Sequence, residues 1–210
     1  MRFAELDAVT IDGYGTLLTL VDPIPVLHEA ARAHGVDADE TGVRAAFLAE
    51  VGHYKERSHL GRDAGSLAEL RCECAGAFLD ALGSSVPPAE FVGDFMASLS
   101  FEPVPGVTPV LERLCSIGLR LGVVANWDCA LEEHLEALGL HRFFDTVVTS
   151  ARAGVPKPDP AIFELALREL EATPGRALHV GDDAVDEAGA HAAGMHFAPA
   201  PLADAFESWT

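Results

Sequence analysis

The sequence predicts an α/β protein: a parallel sheet flanked by helices, with an all-helical segment inserted near its start. Three observations predict it. Leu6-Asp7-Ala8-Val9-Thr10-Ile11 is a short apolar run that stops at Asp12 and the turn Gly13-Tyr14-Gly15, as a buried strand does. Residues 18–99 carry helical periodicity and no strand pattern. From Glu102 onward helix and strand alternate, the rhythm of βαβ units.

Taken in order, the first strand ends in two glycines, which let backbone N–H groups approach a ligand closely. After Leu17 the pattern turns helical: Pro23 and Pro25 open a segment that stops at Gly35, followed by helices at Glu40–Tyr54, about Ser66–Leu82 and Pro88–Ser98. Between Lys55 and Gly65 lies a polar turn holding Lys55, Arg57, His59 and Arg62, read first as solvated and second as substrate-facing charge. The composition breaks at Pro103–Gly106. Helix Pro109–Ile117 then leads to strand Leu119–Ala125, helix Cys129–Leu138 to strand Phe144–Thr149, and a loop at Ser150–Pro158 follows. Helix Pro160–Leu170, strand Arg176–Val180 and a short helix through Ala190 complete the alternation, and the tail from Phe197 to Thr210 has room for one edge element. One sheet domain is therefore expected from residues 1–17 and 100–210, with residues 18–99 as a separate helical domain.

The composition excludes several functional classes. Of 210 residues, 49% are hydrophobic and 22% charged, the balance of an ordinary folded protein with a sizeable core. The 14 bases and 33 acids give a net charge of 14 − 33 = −19, which repels nucleic acid and anionic membrane surfaces. No apolar run reaches the roughly 18 residues of a membrane span, and the acids at Glu5 and Asp7 stand where a signal peptide has its apolar core. A cytoplasmic protein, monomer or homodimer, acting on a small molecule without nucleic acid or membrane is the expectation. Cys72, Cys74, Cys115 and Cys129 match no zinc spacing and read as ordinary thiols.

In open parallel sheets ligands bind beyond the carboxyl ends of the strands. Four segments place polar groups at such ends: Asp12; Asn126 and Asp128; Lys157; and Asp182 with Asp183. As a set they make chemical sense. Asp12, Asp182 and either Asp183 or Asp186 offer hard oxygen ligands to Mg²⁺, and Lys157 supplies a cation without which clustered carboxylates repel. His179, inside an apolar strand, reads as a packed residue, and His53 and His59 as solvated.

Four motifs, in order and spanning almost the whole chain, carry a resemblance. They are Ile11-Asp12-Gly13-Tyr14-Gly15-Thr16-Leu17, Val123-Val124-Ala125-Asn126, Lys157-Pro158-Asp159-Pro160-Ala161-Ile162-Phe163, and His179-Val180-Gly181-Asp182-Asp183-Ala184-Val185-Asp186; Gly189-Ala190-His191-Ala192-Ala193-Gly194 trails the last. The chain resembles the haloacid dehalogenase-like (HAD) hydrolase superfamily, in the subgroup with a helical cap inserted after the first motif, and is similar to the branch called HAD-like hydrolase domain-containing 3. The resemblance implies a Rossmann-like core with a helical cap. It also implies a mechanism in which Asp12 attacks phosphorus, giving an aspartyl-phosphate that water hydrolyses. Mg²⁺ would be held by Asp12, the Tyr14 carbonyl and Asp182, with Asp186 ranked second and Asp183 third among the trailing acids. Lys157 would neutralise Asp12 and the phosphoryl oxygens. Gly13, Gly15 and Asn126 would face the anion, and Thr16 would either donate to it or cap the following helix.

Two departures bear on activity. Family phosphatases carry a second Asp two residues after the nucleophile as general acid and base; here that place is Tyr14. General acid–base catalysis is typically worth about 10²–10⁴-fold, and an ordinary phenol, which ionises near ~10, is a poor substitute at neutral pH. Ala125 stands where the family has a Ser or Thr that donates to phosphate, a loss commonly on the order of 10²-fold. The expected function is a weak, Mg²⁺-dependent phosphatase-like hydrolase. The alternatives are a catalytically impaired binding protein of the same fold and, behind it, a 2-haloacid dehalogenase, in which Tyr is also found at the position of Tyr14.

Overall fold

The computed structural model describes residues 5–206. In chain order these form β1 (Ala8–Ile11), β2 (Leu18–Leu20), α1 (Ile24–Ala33), α2 (Glu40–Arg57), α3 (Ala64–Ala81), α4 (Pro88–Ala97), β3 (Phe101–Pro103), α5 (Val107–Ser116) and β4 (Arg120–Ala125). Then come α6 (Leu131–Ala137), β5 (Thr146–Thr149), α7 (Ser150–Ala153), α8 (Pro160–Glu169), β6 (Ala177–Gly181), α9 (Ala184–Ala192) and β7 (His196–Pro199). By compactness the chain divides into two units, Met1–Thr19 with Glu102–Thr210, and Leu20–Phe101. The divisions fall within β2 and β3, which pair with each other.

The first unit is built on a five-stranded sheet of order β5-β4-β1-β6-β7, with every pairing parallel. It is a Rossmann-like α/β fold. The chain fills one side of β1 with β4 and β5, then crosses to the other side for β6 and β7, so the strand order reverses around β1. That reversal opens the crevice in which such sheets bind ligands. β1 is buried along its whole length, as a central strand covered on both faces must be, and Ile11 lies between Val123 of β4 and Val180 of β6. The residues that follow these three strands, Asp12, Asn126 and Asp182, therefore emerge at neighbouring positions.

One face of the sheet is covered by α8 and α9, whose Ile162, Phe163, Ala166 and Ala190 pack with Val124, Val148 and Ala177 into an apolar layer. The two helices approach closely because Gly189 has no side chain: a Cβ there would lie 2.3 Å from the Phe163 ring. Across the strands the register aligns His179, Thr10, Gly122 and Thr146 in one row. Gly122 leaves the space in this row that the methyl of Thr146 and the side chain of Leu170 occupy, since a Cβ there would meet them at 3.0 and 3.1 Å.

The second unit contains α1 to α4. α2 is capped by Asp39, whose side chain accepts from the Gly42 N–H, and α3 by a reciprocal box between Asp63 and Ser66. Its core centres on Phe78, Phe91 and Phe95, with the Phe78 and Phe91 rings stacked 5.7 Å apart. Burying each such ring contributes roughly 1.5–3 kcal/mol. Among the described residues no helix is long and apolar enough to cross a membrane.

Three details differ from the sequence expectation. The segment after Leu17 opens with strand β2 before any helix, because the chain leaves the first unit beside β3. α2 runs on to Arg57, so Lys55 and Arg57 belong to a helix and not to a turn. The expected loop after β5 begins with the one-turn helix α7, capped by Thr149 and closed by Gly154 in the left-handed conformation. β7 supplies the edge strand anticipated in the tail; residues 207–210 lie outside the described part.

Glu50 is an acid inside the helical unit, only 5% exposed. Burial pushes its carboxyl up from the ordinary 4.5 to about 7, against a hydrogen bond with Cys74 that pulls it down. An acid with a raised folded-state pKa contributes stability that is complete below its unfolded pKa and is lost as pH climbs through the folded one. Glu50→Gln, which cannot ionise, is expected to be more stable than the wild type by up to roughly 3 kcal/mol near pH 8. Near pH 4.5 the two proteins should match, and urea denaturation at the two pH values checks both halves.

Candidate active site

Lys157 lies at the centre of the site. Its side chain is 2% exposed, and its ammonium donates to three acceptors: Asp12 Oδ1, Asp186 Oδ1 at 2.5 Å and the Val124 carbonyl at 3.1 Å. All three protons of the ammonium are thus used. The lysine is delivered by the loop after α7 through a cis Lys157–Pro158 bond, and its backbone is clamped by Asn126. The Lys157 N–H donates to Asn126 Oδ1 at 2.7 Å, and Asn126 Nδ2 donates to the Lys157 carbonyl at 3.2 Å. The carboxamide expected to face an anion is instead engaged with the lysine loop, because a buried loop backbone must find partners.

Electrostatics follow from this crowding. Burial by itself opposes the Lys157 charge, but Asp12 and Asp186 more than offset it and hold the ammonium above its ordinary range. The Asp12 carboxyl lies above its ordinary range: burial pushes it up, Lys157 pulls it down only in part, and Asp186 pushes it up again. With the ammonium between two carboxylates, the proton stays on the lysine and Asp12 is its ionised partner. For Asp186, burial is outweighed by the hydrogen bond from His179 and by the Lys157 charge, and its carboxyl falls to about 2.

Asp12, Asp182 and Asp186 each offer an oxygen within 4.8 Å of the others. When all three carboxylates are ionised, they and the ammonium sum to −3 + 1 = −2, a charge that favours a bound cation. Asp182 is the exposed member; burial raises its carboxyl, and repulsion by Asp186 and Asp183 adds to the rise. Its carboxylate lies against Gly15, where a Cβ would stand 2.0 Å from Asp182 Oδ2. Gly15 also has φ 85°, so both contact and conformation require glycine. The donor set fits a hard divalent ion such as Mg²⁺.

Among the candidate ligands the trailing acids separate. Asp183 caps α9 through the Val185 N–H and stands outside the three-acid group. Asp186 joins the group, yet both of its oxygens are engaged: Oδ1 by Lys157 and His179, Oδ2 by the Asp183 N–H at 3.1 Å. Asp12 Oδ2 accepts no hydrogen bond among the described residues, and Asp12 and Asp182 are the acids with oxygen to spare.

The turn after β1 is partly as anticipated, but the Gly15 N–H, expected to face the anion, donates instead to the Leu18 carbonyl at 2.8 Å. Tyr14 is half exposed, Gly13 packs against Ala125 and the Trp127 ring, and Ala125 is buried without a hydroxyl to offer. Thr16 caps no helix, since β2 follows; its hydroxyl is buried and has no hydrogen-bond partner among the described residues.

His179 is packed, as expected, and it also has polar partners. Its ring meets the edge of Phe163 at 4.9 Å, but Nδ1 also lies 2.9 Å from Thr10 Oγ1 and Nε2 3.0 Å from Asp186 Oδ1. The signal was present in the sequence: a histidine within a fully apolar strand has two ring nitrogens to satisfy, and a buried polar group seldom goes unpartnered.

A family model described as haloacid dehalogenase-like hydrolase matches residues 6–194. The chain belongs to this family. Haloacid dehalogenase-like hydrolase domain-containing protein 3 of Bos taurus is 35% identical over 206 residues, covering 91% of this chain and 80% of that protein. A glyceraldehyde 3-phosphate phosphatase of Methanopyrus kandleri is 43% identical over 96 residues, 45% of this chain and 41% of that one. The crystal structure of a HAD phosphatase from Thermococcus onnurineus superposes with TM-score 0.60 at 26% identity, over 91% of this chain and 85% of that chain. The chain is thus a HAD-family hydrolase related to phosphatases.

Removing the central cation isolates the effect of the charge cluster. Lys157→Met leaves buried carboxylates uncompensated and is expected to cost about 3–5 kcal/mol of stability near pH 8. The loss should shrink near pH 5, where a carboxyl takes up a proton in place of the lysine. Urea denaturation at both pH values, by circular dichroism, measures the two losses.

Proposed function

We propose that the protein is a Mg²⁺-dependent, phosphatase-like hydrolase that uses Asp12 as nucleophile on a small phosphorylated or otherwise activated substrate and turns over best when the leaving group departs as a stable anion. The observation that carries this reading is the division of labour at Asp12: Lys157 holds one carboxylate oxygen, the other accepts no hydrogen bond among the described residues, and Asp182 belongs to the same three-acid group. In the reading, residues 18–99 act as a cap that admits the substrate. In this reading the protein acts in the cytoplasm as a monomer or homodimer, and its charge of −19 disfavours nucleic acid and anionic membranes as partners.

Asp12 Oδ2 attacks phosphorus, forming the acyl-phosphate bond as the bond to the leaving oxygen breaks. The leaving group takes the electron pair. Lys157 stays protonated and neutralises Asp12 and the developing charge on the phosphoryl oxygens. The Thr16 hydroxyl and the Gly13 and Tyr14 amides donate to those oxygens, the Gly15 N–H being held by the Leu18 carbonyl. Water then attacks phosphorus, releasing phosphate and restoring the Asp12 carboxylate. Asp12, Asp182 and the Tyr14 carbonyl would hold Mg²⁺, which when bound supplies a Lewis acid for the phosphoryl oxygens. Tyr14 presents a half-exposed phenol where relatives place a carboxyl group, so an alkoxide leaving group finds no efficient proton donor from this turn.

Hydrolysis of p-nitrophenyl phosphate with Mg²⁺ tests the reading: Asp12→Asn should lower kcat by at least about 10³-fold, the scale of losing a nucleophile. Equal rates in the two proteins favour the second reading, an anion-binding protein with impaired catalysis, for which the apolar Ala125 and exposed Tyr14 speak. Halide release from 2-chloropropionate in the presence of a chelator would favour a dehalogenase. Tyr14→Asp should raise activity on alkyl phosphates by about 10²-fold or more and on aryl phosphates far less. Metal binding has its own readout: Mg²⁺ at about 100 times its Kd should stabilise the wild type by about 2.7 kcal/mol, a rise of several degrees in Tm. Asp182→Asn should abolish most of that rise.

A further inference from the structure

Thr10, His179, Asp186, Lys157 and Asp12 form a continuous hydrogen-bonded chain, and every member is buried. It begins on β1 at Thr10, crosses to its register partner His179 on β6, passes to Asp186 in the first turn of α9, and returns through Lys157 to Asp12 at the end of β1. The protons of this chain can be assigned. Asp186 Oδ1 already accepts from an ammonium and is an ionised carboxylate, so His179 Nε2 must carry the hydrogen that faces it. Burial favours the neutral imidazole, with the Asp186 bond pulling the other way and Lys157 adding to the neutral preference. Nδ1 is then an acceptor, and the Thr10 hydroxyl donates to it.

We propose that His179 is a positioning residue for the reaction: oriented by Thr10, its Nε2–H holds the Asp186 carboxylate where Oδ1 receives Lys157, and through the lysine it sets the Asp12 nucleophile. Packing alone does not account for the residue. A phenylalanine would fill the place between Phe163 and the sheet at no polar cost, whereas histidine brings two ring nitrogens, and both are matched to partners. Asp186 has two donors on one oxygen. Removing one leaves the lysine as sole partner of that oxygen and lets the carboxylate rotate toward it, away from Asp12. The proposal rests on the hydrolase reading for its effect on rate, but the geometry it asserts is testable without turnover.

The first measurement uses metal-free, ¹⁵N-labelled protein. Long-range ¹H–¹⁵N spectra should show His179 as the neutral Nε2–H tautomer, and the buried Lys157 ammonium should give a resolved, slowly exchanging signal. In His179→Phe that signal should shift or vanish, and in His179→Gln, whose amide can donate toward Asp186, it should persist. The second is kinetic. With p-nitrophenyl phosphate, His179→Phe should lower kcat about tenfold with KM changed less than about twofold, the scale of losing an outer partner of a catalytic group. His179→Gln should recover most of the loss. An Nδ1–H tautomer, an unchanged Lys157 signal in a folded His179→Phe protein, or equal impairment of the Phe and Gln variants overturns the proposal. If His179→Phe does not fold, Thr10→Val takes its place. It should yield a mixture of His179 tautomers and a reduced kcat; a wild-type tautomer with wild-type kcat overturns the proposal. If the wild type hydrolyses nothing, the functional reading falls, and the tautomer and ammonium signals alone decide the role of His179.

Discussion

Burying an ammonium is costly unless its partners are close and complete, and the first unit satisfies that condition around Lys157. The three acceptors come from three different places: the end of β1, the first turn of α9 and the carbonyl of Val124 in β4. A displacement of any one would leave a donor or a carboxylate unmatched in an apolar setting. The Asn126 carboxamide, fastened to the backbone on both sides of Lys157, removes the remaining freedom of the loop. The cluster therefore constrains the sheet as much as the sheet positions the cluster.

The same arrangement explains why three acids at one rim serve different ends. Asp12 has one oxygen occupied and one open. Asp186 has none open, and Asp182 is held beside the turn by the absence of a side chain at Gly15. Asp183, next in sequence to Asp182, is turned to the N-terminus of α9 and satisfies a backbone donor there. Chemically identical carboxylates are thus sorted by which neighbours reach them first.

Much of this was legible in the sequence. The alternation of strand and helix after Glu102, and the abrupt stop of an apolar run at Asp12, predict the sheet and the end at which polar groups gather. Spacing ranked Asp186 ahead of Asp183, and Asp186 does join the three-acid group, but it could not show what else the two acids hold, because the N-cap and third helical positions suit capping as well as ligation. It could not see that Asn126 is used up by the lysine loop, since those partners are 31 residues apart. α7 escaped notice because four residues are too few to show a helical period. The polar partners of His179 escaped notice for a related reason: Thr10 and Asp186 lie on other elements, and only the register of β1 with β6 brings the first of them into reach.

Gly189 gives the trailing motif a mechanical meaning. The ring of Phe163 occupies the place its side chain would take, so α9 lies on α8 at a separation only a hydrogen atom permits. Asp186 sits on that helix one turn earlier, and its depth in the sheet is set by how far α9 can sink. The glycine acts as a depth stop: a single methyl would lift the helix, and the carboxylate three residues before it would retreat from the ammonium without any change in the charges themselves. The spacing between the two positions is thereby part of the site's calibration, and a sequence that keeps every acid but thickens this contact would keep the chemistry's parts while losing their alignment.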